Sequence, residues 1–502
     1  MKVTKKTKWG ILVLMLAIVA GLVLLGCLNP SGGSGSSSGS TNPGGTKPGG
    51  TDPGGNDPGG NDPGGSNPGG TNPGGTDPGG SNPGGTDPGG SSPGGTDGGN
   101  TGTIYQNGYE FTVANAVQWN EAVAGINLSG NNKSYTITVT NDFSIPGDDS
   151  WEYTFSPTGL TVYIKGSKTI SLYSGGYLLK IGAEQKIIIE DISLKGTSDK
   201  NYYYVVEIDA HGQFTMQGNA SVNDNSCGGV SVGEYATFIM NGGTIKNNKA
   251  EEGGGVVVNG TFTMNGGTII GNTTTSVLGG GGVCVGGTFF MNSGLITGNK
   301  SSHFGGGVSV HDGTFTMRGG TISGNTAILY GGGVEIRGWE KGSTFIMGGS
   351  STISGNTASW GGGGVSGDSA EPDNTFTMNG GTISNNTAST SGGGVYIQST
   401  IFTMNGGTIS SNTANESGGG VAIVGNSSTF SKKGGTITGY ATSTSNGNVV
   451  KNSSGAIQSN LGHAVYLTIN YPTPKRKETT ADPGDNLYYN GNDGTFSGAW
   501  DY

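Results

Sequence analysis

The sequence predicts an all-β chain, a right-handed parallel β-helix with an amphipathic cap helix at its N-terminal end, preceded by a disordered Pro-Gly-Gly stalk. Three observations predict this. One phrase recurs between about Gln213 and Gly439, each copy divides into short alternating segments separated by Gly or Asn, and the 502 residues include 105 Gly but only 31% hydrophobic residues. Repetition and strand-like alternation together indicate stacked β-coils with a narrow core.

The repeat is clearest as GTFTMNGGTIIGNT at Gly260–Thr273 and TFTMNGGTISNNTA at Thr375–Ala388. Its phenylalanines follow one another at intervals of 24 to 31 residues. A coiled coil needs a strict heptad, and helical-hairpin repeats need about 33 residues or more, so neither fits. The phenylalanine column comprises Phe214, Phe238, Phe262, Phe289, Phe315, Phe345, Phe376, Phe402 and Phe430.

Each copy predicts three strands per coil, as at Val256–Val258, Thr261–Met264 and Thr268–Ile270. Stacked coils place like residues above one another at about 4.8 Å, so columns of apolar side chains fill the interior. The methionine column is Met216, Met240, Met264, Met291, Met317, Met347, Met378 and Met404. The isoleucine column is Ile245, Ile269, Ile296, Ile322, Ile353, Ile383, Ile409 and Ile437.

An asparagine column follows the third strand of each coil. Asparagine tolerates turn geometry, and its amide can hydrogen-bond to the same amide one coil away. We therefore expect a structural ladder rather than a ligand site. Its members are Asn248, Asn272, Asn299, Asn325, Asn356, Asn386 and Asn412.

Two motifs recur together in the repeat, a Gly-Gly-Gly-Val tetrad and Phe-x-x-Asn. The tetrads begin at Gly253, Gly305, Gly331, Gly392 and Gly418. The second motif is met by Phe238/Asn241, Phe262/Asn265, Phe289/Asn292, Phe376/Asn379 and Phe402/Asn405, and is broken at Gln217, Arg318, Gly348 and Lys433. This pairing resembles the repeat of polymorphic outer-membrane proteins, although the tetrad has Gly where that family usually has Ala. The resemblance implies a β-helix and, as an expectation, an adhesin.

The N-terminus predicts export. Four lysines precede an apolar run from Ile11 to Gly26, as in a signal peptide. The run closes with Leu24-Leu25-Gly26-Cys27, which resembles the lipobox of bacterial lipoproteins and implies cleavage between Gly26 and Cys27 with lipidation of Cys27. Leu28 follows where Asp would signal inner-membrane retention, so the outer membrane is the predicted location. The alternative is an uncleaved membrane anchor.

A stalk is predicted between the anchor and the folded part. From Thr41 to Gly95 the chain consists of eleven five-residue units such as TDPGG. These units offer no apolar side chains to bury, and each Pro-Gly suits a solvated type II turn. A stalk that lifts the folded part off a surface favours outward display.

The segments that flank the regular coils are predicted to be coils with an irregular repeat and caps at the two ends. Asn115 and Gln118 resemble a capping box, and Trp119, Val123 and Ile126 then share one helical face. The sequence therefore divides into a signal peptide (1–26), a lipid-anchored stalk (27–100), an N-terminal cap with irregular coils (101–212), regular coils (213–440) and a C-terminal cap and tail (441–502).

The net charge limits the possible binding partners, and the cysteine positions argue against a disulfide. The net charge of −10 argues against nucleic acid, a polybasic membrane patch and acidic partners. Besides Cys27 there are Cys227 and Cys284. Their different registers two coils apart predict free, buried thiols rather than a disulfide.

The sequence predicts no enzyme, no cofactor and no metal site. A polysaccharide lyase or hydrolase on a β-helix would need clustered carboxylates, with a basic residue or a Ca²⁺ site in lyases. His303, His311 and Asp312 are close in sequence but fall on different parts of one coil. The acids of the repeat read as scattered over different registers: Asp224, Glu234, Glu251, Glu252, Asp312, Glu335, Glu340, Asp368, Glu371, Asp373 and Glu416.

Aromatic residues give the best candidate for a ligand site. Phe304, Tyr330 and Trp360 stand immediately before the glycine runs of three consecutive coils. Such a row suits sugar stacking or a protein partner, or it covers its own corners. The sequence thus favours a surface-displayed adhesin or binding module for host or matrix glycans or proteins, held to the membrane through Cys27. The alternatives are a polysaccharide-degrading enzyme of the same fold and a passive surface coat or antigen.

Overall fold

A computed structural model describes residues 109–148, 154–199, 201–368, 374–425, 427–440, 445–458, 461–468, 477–478 and 500–501. These residues form a parallel β-helix of about twelve coils, since one of its sheets has twelve strands, one from each coil. The predicted signal peptide, the lipidation site at Cys27 and the stalk lie outside the described residues. Each coil contributes one strand to each of up to four sheets, which we name by the residue that fills their interior.

The Phe sheet has fifteen strands and contains the phenylalanine and methionine columns. Threonines alternate with these interior residues, which explains why the segment forms a strand with one buried face. Its strands are Glu110–Val113, Ser134–Val139, Thr161–Lys165, Lys186–Glu190, Gln213–Gln217, Thr237–Met240, Thr261–Met264, Thr288–Met291, Thr314–Met317, Thr344–Met347, Asn374–Met378, Thr400–Met404, Thr429–Lys432, Trp500–Asp501 and Lys477–Glu478.

The Ile sheet has twelve strands, most of three residues with a central buried isoleucine. They are Phe143–Ile145, Thr169–Leu172, Ser193–Lys195, Ser221–Asn223, Thr244–Lys246, Thr268–Ile270, Leu295–Thr297, Thr321–Ser323, Thr352–Ser354, Thr382–Ser384, Thr408–Ser410 and Thr436–Ile437.

The Val sheet has eleven strands, and in the regular coils each begins at the valine that ends a glycine run. Its members are Leu179–Ile181, Val206–Ile208, Val230–Val232, Val256–Val258, Val283–Val285, Val308–His311, Val334–Arg337, Val365–Asp368, Val395–Gln398, Val421–Val424 and Val465–Thr468.

A fourth sheet, the short sheet, was not predicted. Eight two-residue strands follow the asparagine column and pair in parallel, so a regular coil has four strands where the sequence predicts three. A strand of two residues is too short to show an alternation of apolar and polar residues in the sequence. They are Lys249–Ala250, Thr273–Thr274, Lys300–Ser301, Thr326–Ala327, Thr357–Ala358, Thr387–Ala388, Thr413–Ala414 and Val449–Val450.

Register between coils follows the repeat. In the Phe sheet Phe262 pairs with Phe289 and Met264 with Met291, and the same residues recur at matching positions in the neighbouring coils. All nine repeat phenylalanines are fully buried, and their rings stack with centroids 4.6 to 5.3 Å apart. Burying one such side chain stabilises a protein by about 1.5–3 kcal/mol. The methionine and isoleucine columns are also fully buried, so all three predicted columns are confirmed.

The asparagine ladder is confirmed as a buried hydrogen-bond network. Asn325 is representative, since its backbone N–H and its Nδ2 both donate to Asn356 Oδ1 at 3.0 Å, while its Nδ2 also donates to the Ile296 carbonyl at 2.9 Å. The amides thus satisfy backbone groups at a corner where the strand ladder is interrupted. The ladder extends beyond the prediction at both ends, because the Asn225 N–H donates to Asn248 Oδ1 and Asn412 donates to Asn448 Oδ1.

Glycine in the tetrad has a steric cause. At Gly331 φ is +68°, a left-handed conformation that favours glycine. A Cβ on Gly332 would lie 2.5 Å from the Gly363 carbonyl oxygen of the next coil, and one on Gly333 would lie 2.9 Å from an Ile353 methyl group. Because the coils approach this closely, a methyl group does not fit at the corner.

The one α-helix among the described residues, Ala116–Leu128, lies in the chain between the first two strands of the Phe sheet. Asn115 Oδ1 accepts from the Gln118 N–H at 3.0 Å, whereas the Gln118 side chain accepts from Ala114 N–H rather than reaching Asn115. Its buried face includes Trp119, and the helix packs on strands Glu110–Val113 and Phe143–Ile145, the first of the Phe and Ile sheets.

The coils continue past the predicted boundary at residue 440. Val449–Val450 extends the short sheet, and Val465–Thr468 pairs in parallel with Val421–Val424. By contrast, Trp500–Asp501 pairs antiparallel with Ser431 and Lys432 at the end of the Phe sheet. A segment predicted to be a cap therefore includes one more coil.

Candidate functional site

The three predicted aromatic residues are neighbours in the structure. Phe304 and Tyr330 form a parallel backbone bridge, and their rings stack with centroids 6.2 Å apart. The Trp360 ring meets that of Tyr330 edge-on at 5.7 Å. Phe304 is buried, whereas Trp360 is 41% exposed, so only part of the row can contact a partner in this conformation.

A fourth ring joins this row from the Val sheet. Tyr396 stacks on Tyr330 at 5.3 Å although the two residues lie two coils apart. Gly361 in the intervening coil makes this possible, since a Cβ there would lie 2.9 Å from Tyr396 and 3.2 Å from Tyr330. We call Phe304, Tyr330, Trp360 and Tyr396 the ring row. The rings lie over the outward face of the Val sheet.

Six polar residues occupy the outward face of the Val sheet beside the ring row. Strand register places Ser309, Glu335 and Ser366 side by side, and pairs His311 with Arg337 in the adjacent outward column. Asp368 ends the next strand at the position that follows Arg337 in that column. Together these residues form the polar cluster: Ser309, Glu335, Ser366, His311, Arg337 and Asp368.

Aromatic faces hold Arg337 in place. Its guanidinium carbon lies 4.2 Å from the Phe304 ring centroid and 5.9 Å from that of Trp339. The His311 ring meets Trp339 edge-on at 5.6 Å. Cation–π contacts fix the plane of a guanidinium and leave its N–H groups directed along the edge. Trp339 is half exposed, so it offers a second indole on the other side of the cluster.

Much of the polar cluster has no hydrogen-bond partner. Among the described residues, no partner is in hydrogen-bonding geometry for Ser309 Oγ, Ser366 Oγ, His311 Nε2, Arg337 Nη1 and both carboxyl oxygens of Glu335, although these atoms are buried. Leaving one buried polar group unsatisfied costs about 1–3 kcal/mol. Six such atoms within three coils are unusual in a native protein and mark the cluster as a candidate binding site.

Burial raises the pKa of Glu335 well above its usual range, and the nearby Asp368 carboxylate raises it further, while the positive charge of Arg337 lowers it. The neighbouring Ser366 hydroxyl also lowers it, although the two side chains are not in hydrogen-bonding geometry. Burial also raises the pKa of Asp368, and Arg337 partly offsets this. Glu335 is fully buried, whereas Asp368 is partly exposed, so burial disfavours the charged form more strongly at Glu335 than at Asp368.

The environment keeps His311 neutral. Burial and the positive charge of Arg337 lower its pKa to about 4, against the raising effect of its hydrogen bond to the backbone of Leu278 and of Asp312. A neutral imidazole that donates through one nitrogen presents a lone pair on the other. The unpartnered Nε2 is then an acceptor.

Asp312 serves a structural purpose beside the cluster. Its Oδ1 accepts from the backbone N–H groups of Trp339, Glu340 and Lys341, at 2.8, 3.2 and 3.1 Å. These bonds fix the loop that carries Trp339. Asp312, His303 and His311 are close in sequence, but of these three only His311 belongs to the polar cluster.

The prediction that the repeat acids occupy different registers holds for Glu335 and Asp368, but these two residues are not scattered in space. They lie on adjacent coils and the same outward face, close enough to raise the pKa of Glu335. The missed signal was available in the sequence. Counting from the valine that ends each glycine run places Glu335 one residue along, and His311, Arg337 and Asp368 three residues along, in three successive coils.

Two other features are less suited to a ligand. A groove of about 610 Å³ beside the Ile and short sheets is lined mostly by polar residues, some of them exposed, including a Lys195–Asp224 ion pair at 3.9 Å. Cys227 and Cys284 are buried and form no disulfide, as predicted, and burial raises the pKa of Cys284. Within the described segments, no group of three or more His, Cys, Asp or Glu residues could hold a metal ion.

Comparison with protein-family models, with curated proteins and with solved structures finds no match to this chain. The resemblance to the polymorphic outer-membrane repeat therefore remains a prediction. The only helix described, Ala116–Leu128, is too short to cross a bilayer.

Proposed function

We propose that this protein is a lipid-anchored β-helix displayed at the outer surface of a bacterial cell, where it acts as an adhesin for host or matrix glycans. The observation that carries the proposal is the exposed indole of Trp360 beside Tyr330, next to buried polar groups without partners. Aromatic platforms flanked by hydrogen-bonding groups are typical of sugar-binding sites. The anchor, the stalk and the outer-membrane location are supported by the sequence around Cys27.

Ligand binding is tested with the full-length protein in detergent and immobilised polysaccharides, mucins and matrix proteins. Retained protein and chain scission are recorded together. Retention on glycans that is lost in the double variant Trp360→Ala, Tyr330→Ala supports the proposal. Retention unchanged in that variant removes the ring row from the ligand face. Retention on matrix proteins alone would make a protein the ligand.

A second candidate function is polysaccharide cleavage by the same site. It is favoured by the buried Glu335 beside Asp368, because glycoside hydrolases use a protonated and an ionised carboxyl group held close together. Scission in the same assay, abolished by Glu335→Gln, would establish this function. Retention without scission favours the adhesin, and neither signal favours a passive coat.

The anchor is tested separately in cells. Labelled palmitate should be incorporated into the wild type and absent from Cys27→Ala, because the acyl chains require the Cys27 thiol and the new amino terminus. Protease added to intact cells should degrade the folded part if it faces outward. Labelling that persists without Cys27 would refute the lipoprotein assignment.

A further inference from the structure

The polar cluster offers an unusual mixture of hydrogen-bonding groups at one edge of the ring row. Arg337 can only donate and a neutral His311 can both donate and accept; these two residues are partly exposed, whereas Ser309, Glu335 and Ser366 are fully buried beneath them. Asp368 lies at the partly exposed end of the same column and adds acceptors. A sugar hydroxyl both donates and accepts, so such a mixture suits several hydroxyls on one ring.

Two indoles flank this edge. Trp360 lies at the end where the chain enters the Val sheet, and Trp339 lies in the loop that follows the same sheet, packed against Arg337 and His311. Both are exposed by 40–50%. Arg337 and Asp368 thus lie on a surface bounded by two exposed aromatic rings, which is the arrangement that holds a sugar by stacking and by its hydroxyls.

The charges around the cluster disfavour an acidic ligand. Arg337 is the only cation in the cluster, and its charge is already offset by Asp368, whose pKa it lowers. Asp312 adds a second carboxylate beside His311, and its oxygens are occupied by the backbone of the Trp339 loop. The chain as a whole has a net charge of −10. A sugar carboxylate or sulfate would therefore meet more negative than positive charge.

We propose that the polar cluster is a subsite for one uncharged sugar residue of the bound glycan, with Arg337, His311 and Asp368 hydrogen-bonding its hydroxyls between Trp339 and Trp360. This proposal rests on the proposed glycan-binding function and narrows its ligand class. It predicts that binding depends on Arg337 as a donor and not on its net charge.

The test measures affinity by calorimetry with the full-length protein. The probes are hexasaccharides of glucose, of xylose and of mannose, with a hexamer of galacturonic acid as the acidic counterpart. At least one neutral probe should bind, with little dependence on salt. Arg337→Met keeps an unbranched stem against Phe304 but removes the donors, and should weaken that binding about tenfold or more.

The matched control is Arg318→Met. Arg318 also packs on an aromatic ring, with its guanidinium carbon 4.9 Å from the Phe290 centroid, but it directly follows a strand of the Phe sheet and does not belong to the cluster. Its replacement should leave affinity unchanged. Circular dichroism checks that each variant is folded. If Arg337→Met does not fold, the isosteric Asp368→Asn decides, since it should weaken the neutral probe about tenfold.

Three outcomes are distinguishable. Unchanged affinity in Arg337→Met and Asp368→Asn, with binding lost in Trp360→Ala, would overturn the subsite and leave the adhesin proposal intact. Salt-dependent binding of the galacturonic acid hexamer alone, strengthened by Asp368→Asn, would overturn the uncharged ligand class. Failure of the wild type to bind any probe in this set would overturn the subsite, and failure on the wider polysaccharide and mucin panel as well would overturn the glycan adhesin.

Discussion

Removing the side chain of Asn356 should open the solenoid locally at one coil. Its Nδ2 donates to the Ile322 carbonyl and to Asn386 Oδ1, each at 3.0 Å. Its Oδ1 accepts from the backbone N–H and the Nδ2 of Asn325, each at 3.0 Å. Asn356→Ala removes all four bonds from a fully buried site.

The size of the effect follows from what each group loses. The Asn325 N–H is left without its acceptor in a buried site, which costs about 1–3 kcal/mol. The three other bonds each contribute about 0.5–1.5 kcal/mol. The variant should therefore lose roughly 2.5–7.5 kcal/mol in the free energy of local opening.

Hydrogen exchange is the suitable assay, because solenoid coils can open individually and a single unfolding midpoint would average over them. The Asn325 amide should exchange about 100-fold faster or more in Asn356→Ala. The Asn299 amide, whose acceptor is Asn325 Oδ1, should change much less.

The matched control is Asn265→Ala, in the exposed asparagine row on the Phe-sheet side of the coil. Asn265 also bonds to the coils on both sides, to Asn241 at 2.9 Å and from Asn292 at 2.8 Å, but in contact with water. Its loss should cost less than about 1 kcal/mol. Equal effects of the two variants, or a change in Asn325 exchange below about fivefold, would refute the assignment of stability to the buried ladder.

Three further predictions concern pH and packing. The pKa of Glu335 is higher in the folded than in the unfolded chain, so the contribution of this residue to stability is lost as pH rises. In urea unfolding, the stability of Glu335→Gln relative to the wild type should therefore increase from about pH 5 to 8, and a constant difference would contradict this. The pKa of His311 is instead lowered to about 4, so the contribution of this residue to stability is lost as pH falls below about 6.5. Adding His311→Gln to Glu335→Gln should therefore reduce the loss of stability between about pH 6.5 and 4. Parallel stability curves for the single and the double variant would refute the buried neutral imidazole. Gly332→Ala would place a Cβ 2.5 Å from the Gly363 carbonyl oxygen, so it should lower the midpoint of thermal unfolding by several degrees. An unchanged midpoint would show that the corner is less tightly packed than the structure indicates.

Much of the fold could be predicted because each coil repeats the same side chains. The phenylalanine, methionine, isoleucine and asparagine columns all follow from spacing within the repeat, and all are confirmed. The short sheet could not be predicted, because two residues show no periodicity. The last coil was also missed, since Val449–Val450 and Val465–Thr468 lack the repeat phrase and are recognised only by their pairing with earlier coils.

The candidate site, like the fold, could be predicted from the sequence only in part. The sequence by itself determined that Phe304, Tyr330 and Trp360 belong to successive coils, because residues in one register stack whatever their loops do. Only the tertiary structure decided that Phe304 is buried, that Tyr396 reaches Tyr330 across Gly361, and that Glu335 is sealed beside Arg337. Outward side chains of a solenoid are covered or exposed according to how rings from neighbouring coils fold over them. That packing depends on contacts between residues about 30 or more positions apart, which no local pattern encodes.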